Sequence, residues 1–354
     1  MMDVAALFPV IKIFIITTAA FVMAFAMTPL LTHFLYKYKL GKPIRDRVLA
    51  PVFAKLHKNK AGTPTMGGIL VWLSVLILAL SFFYIEKFFP GSSLGRFNFL
   101  DRGETLLPLG ALVASSLVGL ADDWLNIRAT GIFKGGLRVW HRLIIYTAIA
   151  IAGAWWFFVK LEWDLLHVPF VGTFEIGWWY IPIFIFIIVA TAFSVNEADG
   201  LDGLAGGLLL AAFGAFGAMA FIEGRFELAT FCGAIAGSLL AFLWFNINPA
   251  RFFMGDTGAM GLGVTLAVVA MLTNTALFLP VVGLLFVFES GSVIIQMTSK
   301  KLFKRKVFIS TPIHHHFEAI GWSEPKIVMR FWVISGVTAV LGVILFLIDT
   351  TFFG

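Results

Sequence analysis

Long apolar blocks alternate with short polar connections along the whole chain. A helix needs roughly 20 mostly apolar residues to cross a hydrocarbon core, and the blocks lack the period-two alternation of a membrane β-barrel. The pattern predicts an all-α, polytopic integral membrane protein with about ten transmembrane helices, forming a single domain over residues 1–354. The predicted spans are 7–36, 66–85, 106–121, 139–159, 178–195, 204–222, 227–246, 258–274, 276–296 and 328–348.

Composition supports this class, since 60% of the 354 residues are hydrophobic and only 13% are charged. Such a balance argues against a soluble globular protein. The first block lacks a basic segment before it, so we expect a true span and not a cleaved signal peptide. The single cysteine, Cys232, lies in an apolar block and has no partner for a disulfide. We expect it to be a packing residue.

The distribution of Lys and Arg predicts the orientation of the chain. One set of alternate connections (37–65, 122–142, 196–203, 247–257 and 297–330) holds 20 of the 26 Lys and Arg residues. Basic residues favour the cytoplasmic side, so we expect these connections in the cytoplasm and both termini on the extracytoplasmic side. The net charge of +6 is therefore interpreted as a topology signal, and no nucleic-acid partner is expected.

Five aspartates fall in three of these cytoplasmic connections or at their membrane boundaries: Asp122, Asp123, Asp199, Asp202 and Asp256. Asp122 and Asp123 are expected to share a ligand only if their helix ends there, since adjacent helical residues point about 100° apart. Asp199 and Asp202, three residues apart, would share a face of the following helix. Capping of helix N-termini is the simpler alternative, but like charges at one face favour a cation. Mg²⁺ suits carboxylate and phosphate oxygens.

Basic and histidine-rich loops accompany the carboxylates. Lys60 and Thr65 lie at a glycine-rich helix entry, where amides, a hydroxyl and a lysine suit a phosphate group. The three consecutive histidines at 314–316 could bind zinc, supply a proton or positive charge to a diphosphate, or belong to a solvated loop. The basic run at 300–306 is expected to attract anionic lipid headgroups.

Several strings resemble one family of membrane enzymes. The matching strings are Gly62-Thr-Pro-Thr-Met-Gly-Gly68, Asp122-Asp123, Asp199-Gly-Leu-Asp-Gly-Leu-Ala205, Trp244-Phe-Asn246, Phe253-Met-Gly-Asp256 and Pro312-Ile-His-His-His-Phe-Glu318. The sequence is similar to the phospho-N-acetylmuramoyl-pentapeptide transferases, within the polyprenyl-phosphate N-acetylhexosamine-1-phosphate transferase superfamily. The aspartate strings indicate the superfamily, and the histidine string indicates the branch.

The resemblance implies ten helices, often in a homodimer, in the bacterial cytoplasmic (inner) membrane with the active site on the cytoplasmic face. The implied reaction is Mg²⁺-dependent transfer of phospho-N-acetylmuramoyl-pentapeptide from its UDP carrier to undecaprenyl phosphate, which gives lipid I and UMP.

The resemblance also implies roles for individual residues. Asp256 resembles the metal ligand, Asp122 and Asp123 resemble the pair that activates the lipid phosphate, and His314 resembles a histidine needed for activity. The implied substrate-binding residues are Lys60, Thr65, Asn196, Asp199, Asp202, Asn246, Phe253, His315 and His316, with Phe253 against the uracil ring.

The chain departs from the family pattern in two places. Phe193, Glu197 and Ala198 replace the first Asn, the Leu and the Thr of an Asn-Ala-x-Asn-Leu-Thr-Asp string. Asn126 and Arg142 stand where the family has lysines, and arginine is not a neutral replacement for lysine. These changes bear on nucleotide recognition.

Two other functions compete with the implied one. A sibling transferase that uses N-acetylglucosamine-1-phosphate would share the aspartates. A transporter or lipid flippase would need ionisable groups near the midplane of several spans, whereas the predicted spans are nearly free of charge.

Overall fold

A computed structural model describes residues 4–41, 60, 62–101, 103–128 and 139–353. Residues 42–59 and 61 of the predicted connection 37–65, and residues 129–138 of the predicted connection 122–142, therefore lie outside the described residues. The chain is 77% helical, which confirms the all-α prediction. Nine helices of the described part are long and apolar enough to cross a membrane, or ten if a bent pair counts as one span.

The spanning helices follow the predicted order. They are α1 (Val4–Lys37), α2 (Ile69–Phe88), α3 (Leu106–Arg128), α4 (Val139–Trp155), α5 (Tyr180–Ala198), α6 (Leu204–Ile222), α7 (Phe226–Asn246), α8 (Gly255–Leu272), α10 (Leu284–Phe303) and α12 (Glu324–Phe352), with the four-residue α9 (Leu279–Val282) ahead of α10. A further short helix, α11 (Ile313–Ala319), carries the three histidines.

A two-stranded antiparallel hairpin interrupts the helical pattern between α4 and α5. Strands β1 (Leu165–Val168) and β2 (Gly172–Glu175) pair with Leu165 opposite Glu175. The hairpin is held to the C-terminal end of α12, where Asp349 accepts the N–H of Phe170 at 2.6 Å and pairs with His167. It lies at the opposite end of the bundle from the aspartates.

The predicted span at 276–296 is broken in the structure. The chain forms a 3₁₀ turn and α9 over Ala276–Val282, then bends by 84° into α10. Pro280 lies in the first turn of α9 and Gly283 forms the junction. Proline and glycine at such close spacing break a helix. As a result α10 runs nearly perpendicular to the short helix before it.

Helix α8 lies at the centre of the bundle, and all of its residues are buried. It packs against α3 and α5, and small residues allow a close approach. A Cβ on Gly119 of α3 would stand 2.2 Å from the carbonyl oxygen of Asp256. Small residues at a helix crossing let the backbones approach closely in membranes. This crossing brings the aspartates at the end of α3 beside the start of α8.

Candidate functional site

Four helices each contribute one polar side chain to a buried cluster around Arg142. Its Nη2 lies 3.0 Å from Asp122 Oδ2 and 3.1 Å from Asp256 Oδ2, so these two carboxylate oxygens stand no more than about 6 Å apart. Arg142 Nη1 donates to Asn196 Oδ1 at 2.8 Å, and Asn196 Nδ2 donates to Asp256 Oδ1 at 2.8 Å. The ends of α3 and α5 and the starts of α4 and α8 therefore meet at one face of the bundle.

Two further aspartates hold the first turn of α8. Asp123 Oδ2 accepts the backbone N–H of Thr257 at 3.1 Å, and Asp199 Oδ2 accepts that of Gly255 at 3.1 Å. Helix N-termini present such free amides and a positive dipole end. Both carboxylates thus fix the backbone that carries Asp256.

A second ionic cluster lies beside this face. Lys60 Nζ is 2.6 Å from Asp202 Oδ1 and 2.5 Å from Glu324 Oε1, and it lies 5.7 Å from the centroid of the Phe253 ring. Asn248 Nδ2 donates to Asp202 Oδ2 at 3.0 Å and to Glu324 Oε2 at 3.2 Å. A lysine, an aromatic ring and two carboxylates therefore stand together.

Asn246 holds the loops that frame this second cluster. Its Oδ1 accepts the N–H of Gly203 at 2.9 Å and its Nδ2 donates to the carbonyl of Phe252 at 2.8 Å. Thr65 is buried, and its backbone N–H donates to Leu40 at 2.8 Å. Within the part of the chain that the structure describes, the Thr65 hydroxyl has no hydrogen-bond partner.

The three histidines point to different partners. His314 Nδ1 lies 2.8 Å from Glu289 Oε2, and both side chains are buried. His315 Nδ1 lies 2.6 Å from Glu318 Oε2, and His316 Nδ1 accepts the N–H of Ile309 at 3.3 Å. The rings of His314 and His315 pack edge to face with their centroids 4.1 Å apart, but the three histidines bind different partners.

His314 lies next to the aspartate loop. A Cβ on Gly200 would stand 2.2 Å from His314 Nε2, and Gly200 directly follows Asp199, which binds the start of α8. Only glycine leaves room for the imidazole ring at this point. The histidine therefore belongs to the same face as Asp256.

The carboxylates fit Mg²⁺ better than the histidines fit zinc. Among the described residues no three His, Cys, Asp or Glu side chains are arranged to hold a metal ion. Mg²⁺, however, is usually bound by one or two carboxylates, water and substrate phosphates. Asp122 and Asp256 converge as such a pair, with Arg142 between them.

Comparisons with known proteins agree with this arrangement. Residues 105–274 match the model described as Glycosyl transferase family 4, and residues 60–70 match phospho-N-acetylmuramoyl-pentapeptide-transferase signature 1. The phospho-N-acetylmuramoyl-pentapeptide-transferase of Chloroflexus aggregans is 39% identical over 94% of this chain and 89% of the relative. That of Bacillus anthracis is 38% identical over 92% of this chain and 94% of the relative.

The chain belongs to the phospho-N-acetylmuramoyl-pentapeptide-transferase family. The resemblance inferred from the sequence is confirmed. The family match extends over the transmembrane bundle and both clusters, so the geometry of the site can be related to one reaction.

The condition set for one pair of aspartates is not met, and the prediction for the other pair is wrong. Helix α3 continues to Arg128, so Asp122 and Asp123 point apart and have separate partners. Asp199 and Asp202 precede α6 and share no helix face, because Asp199 binds Gly255 of α8 whereas Asp202 pairs with Lys60. The capping alternative holds for Asp199, but the capped helix is α8.

Three polar residues of the site were not selected from the sequence. Glu289 is the one acid within the apolar block before His314, and an acid inside a span is a signal for function. Glu324 and Asn248 lie in connections, where polar residues are ordinary. Arg142 stands out in the sequence only as a departure from the family pattern. Its contacts depend on the packing of α4 against α5, from which the side chain reaches Asp122 and Asp256.

Proposed function

We propose that the protein transfers phospho-N-acetylmuramoyl-pentapeptide from its UDP carrier to undecaprenyl phosphate, forming lipid I and UMP. The observation that carries the proposal is the convergence of Asp122, Asp256 and Arg142 at one end of the helix bundle, in a chain of this family. A sibling reaction with N-acetylglucosamine-1-phosphate is the alternative. The family match favours the muramoyl substrate.

The chemistry joins two anions, and their repulsion is the chief obstacle. An oxygen of the lipid phosphate forms a bond to the sugar-bearing phosphorus of the diphosphate, while the bond from that phosphorus to UMP breaks. Phosphoryl transfer of this kind depends on positioning and charge neutralisation. We favour this direct attack over a covalent aspartyl-phosphate intermediate, because the Asp122 carboxylate is engaged by Arg142.

Mg²⁺ would be held by Asp256 and Asp122, and when bound it would neutralise the diphosphate and the departing UMP. Arg142 supplies a fixed positive charge between the same carboxylates. Asp123 keeps the start of α8 in place through Thr257, so that Asp256 stays directed at the reacting phosphates.

The second ionic cluster suits the nucleoside end of the substrate. Phe253 offers a ring for stacking of the uracil base, and Lys60 lies over that ring. Asp202 holds Lys60 and the loop at Ala250, whose N–H it accepts at 3.1 Å. The substrate would thus extend from Phe253 toward Asp256.

His314 is the candidate proton donor or cation at the diphosphate. Its contact with Glu289 orients the ring, because a carboxylate at Nδ1 sets the role of Nε2. Nε2 is directed at the Gly200 loop beside Asp199. His315 and His316 have other partners, and their contact with substrate stays a prediction.

The placement at a membrane face has a physical reason. The prenyl tail stays in lipid while its phosphate meets a water-soluble nucleotide. We infer that this face is cytoplasmic, in the bacterial inner membrane, since it carries most of the Lys and Arg residues. A homodimer is also part of the proposal, on the resemblance alone.

The deciding experiment is a UMP-release assay with purified protein, undecaprenyl phosphate, Mg²⁺ and each of the two nucleotide sugars. We expect UMP only with UDP-N-acetylmuramoyl-pentapeptide, and none after chelation of Mg²⁺. Asp256→Asn should abolish transfer, because a neutral amide attracts a divalent cation far less than a carboxylate.

Glu175→Gln in the distant hairpin is the matched control, since it also replaces an acid by its amide. It should retain full activity, and gel filtration should show that both variants are folded. Turnover by Asp256→Asn would reject the metal assignment, and UMP release with the N-acetylglucosamine donor alone would favour the sibling reaction.

A further inference from the structure

Helix α10 has its polar residues inside and its apolar residues outside. Glu289, Ser292, Gln296 and Ser299 are buried, whereas large apolar side chains of the same helix are exposed, among them Ile294 (56%), Ile295 (51%), Met297 (62%) and Leu302 (65%). A helix in contact with water shows the reverse pattern. The surroundings of the outer face are therefore apolar, as in a bilayer.

The segment after α10 folds back along this helix. Gln296 Oε1 accepts the N–H groups of Val307 and Phe308 at 2.9 and 3.0 Å, and its Nε2 donates to the carbonyl of Phe308 at 2.8 Å. Ser299 Oγ donates to the carbonyl of Arg305 at 3.0 Å. Four hydrogen bonds thus hold the backbone of this segment against α10.

A groove of about 590 Å³ lies between the helix and the returning segment. Its apolar walls include Ile294, Ile295, Phe303 and Val307, and its basic rim includes Arg305 and Lys306. The groove lies at the same end of the bundle as the aspartates, because α11 with His314 follows within a few residues. Apolar walls below two cations suit an amphipathic anion.

We propose that this groove binds an anionic phospholipid of the bilayer, with an acyl chain along the isoleucines and the phosphate at Arg305 and Lys306. Charge complementarity supports this occupant. Five basic residues lie between positions 300 and 306, and residues 290–317 contain no Asp or Glu. Juxtamembrane basic residues attract anionic headgroups, and here the backbone hydrogen bonds hold two of them over an apolar slot.

The groove is separate from the path of the prenyl substrate to the aspartates. Glu289 faces His314, and at about 100° per residue Ile294 and Thr298 point roughly 140° and 180° away from it around α10. A prenyl phosphate in this groove would therefore have its phosphate on the wrong side of the helix for Asp256. The site does not depend on the proposed reaction.

Native mass spectrometry of the full chain in detergent tests the proposal, with phosphatidylglycerol and phosphatidylcholine of the same acyl chains. We expect preferential retention of phosphatidylglycerol, weakened about fivefold for each charge removed by Arg305→Gln and Lys306→Gln. The matched control is Lys300→Gln with Lys301→Gln, which removes two charges from the end of α10 that do not line the groove. It should retain most of the binding.

A variant that fills the groove distinguishes specific lipid binding from non-specific attraction to surface charge. Ile294→Trp should lower phosphatidylglycerol retention while all charges remain. Equal losses in the two double variants, or equal retention of both lipids, would overturn the proposal in favour of diffuse charge. Displacement of phosphatidylglycerol by inorganic phosphate would show a site for the headgroup alone. Displacement of phosphatidylglycerol by undecaprenyl phosphate would show a groove for the substrate. Loss of a second copy of the chain from the Ile294→Trp complex would show a protein interface. Each of these results contradicts a phospholipid site.

Discussion

Arg142 is the residue on which the charge balance of the site depends. It binds two carboxylates and an amide from three different helices, and it stands between the oxygens that would hold Mg²⁺. Unit charges about 4 Å apart interact by about 4 kcal/mol even at an effective dielectric of 20. A guanidinium at this position therefore opposes a divalent cation while it also neutralises phosphate.

Replacement of Arg142 should separate these two effects. In Arg142→Gln we expect the affinity for Mn²⁺ to rise about tenfold or more. The paramagnetic resonance signal of Mn²⁺ measures this affinity in the absence of turnover. We expect UMP release by the same variant to fall. Arg142→Lys keeps the charge but cannot bridge three partners, so its metal affinity should change less. Arg128→Gln, which removes an exposed cation over Trp124, is the control. An unchanged metal affinity in Arg142→Gln would contradict this account.

Glu223, outside the spans at the opposite end of the bundle, predicts a pH dependence of stability. Burial raises its pKa to about 7, against the weaker opposing effect of Arg225. Between its ordinary pKa near 4.5 and about 7, the folded chain keeps a proton that the unfolded chain releases. Its contribution to stability is therefore full at low pH and is lost as pH rises through this range.

We expect Glu223→Gln to have the same unfolding temperature as the wild type near pH 5 and a higher one near pH 8. Thermal unfolding in detergent at both pH values measures this. Glu175→Gln is the control, and any change in unfolding temperature relative to the wild type should be the same at pH 5 and pH 8. A difference at pH 5 that vanished at pH 8 would show the opposite sign.

Residue types were easier to predict from the sequence than their partners. Asp122, Asp256 and His314 stand out because acids and histidines at the ends of apolar blocks are unusual. That Asp199 binds Gly255, or that Asp122 binds Arg142, depends on contacts between residues far apart in sequence. Such contacts follow from helix packing, and no local pattern encodes them.

At the scale of elements, the crossing of α3 and α8 positions the site. Gly119 lies against the backbone of Asp256. A backbone atom cannot rotate away as a side chain can, so a methyl group here must displace the whole helix. Gly119→Ala should therefore separate the helices, lower stability by about 1–3 kcal/mol and displace Asp256 from Asp122. Thermal unfolding and UMP release measure the two effects.

The same helix offers a matched control for this substitution. A Cβ on Gly110 would meet nothing within 4 Å, so Gly110→Ala should leave activity unchanged and stability equal or slightly higher. Equal effects of both substitutions would show that the crossing is not the cause.

Most spans were predictable because a continuous apolar block of sufficient length crosses a membrane as a helix, which satisfies its own backbone hydrogen bonds. The bend before α10 was not, although Pro280 and Gly283 mark it in the sequence. A helix with proline can continue with a kink in a membrane, and tertiary contacts decide between the two outcomes. The β1–β2 hairpin was also missed, since it is short and is held by a contact with Asp349.

At the scale of the whole molecule, the proposed reaction requires the site to face the cytoplasm. The helices place the aspartates, the histidines and the basic run at 300–306 at one end and the hairpin at the other. The connections at the aspartate end hold 20 of the 26 Lys and Arg residues. This asymmetry predicts that the aspartate end is cytoplasmic. A nucleotide sugar made in the cytoplasm could then reach Asp256 without crossing the bilayer.

The single cysteine makes this orientation accessible to labelling. Cys232 is buried, so the wild-type chain should react slowly with a membrane-impermeant maleimide and serves as its own background. A cysteine replacing exposed Glu175 in the hairpin should be labelled in intact cells. A cysteine replacing exposed Lys301 should be labelled only after permeabilisation. Because the two positions lie at opposite ends of one bundle, labelling of Lys301→Cys in intact cells would place the aspartates outside, where the proposed nucleotide substrate is absent.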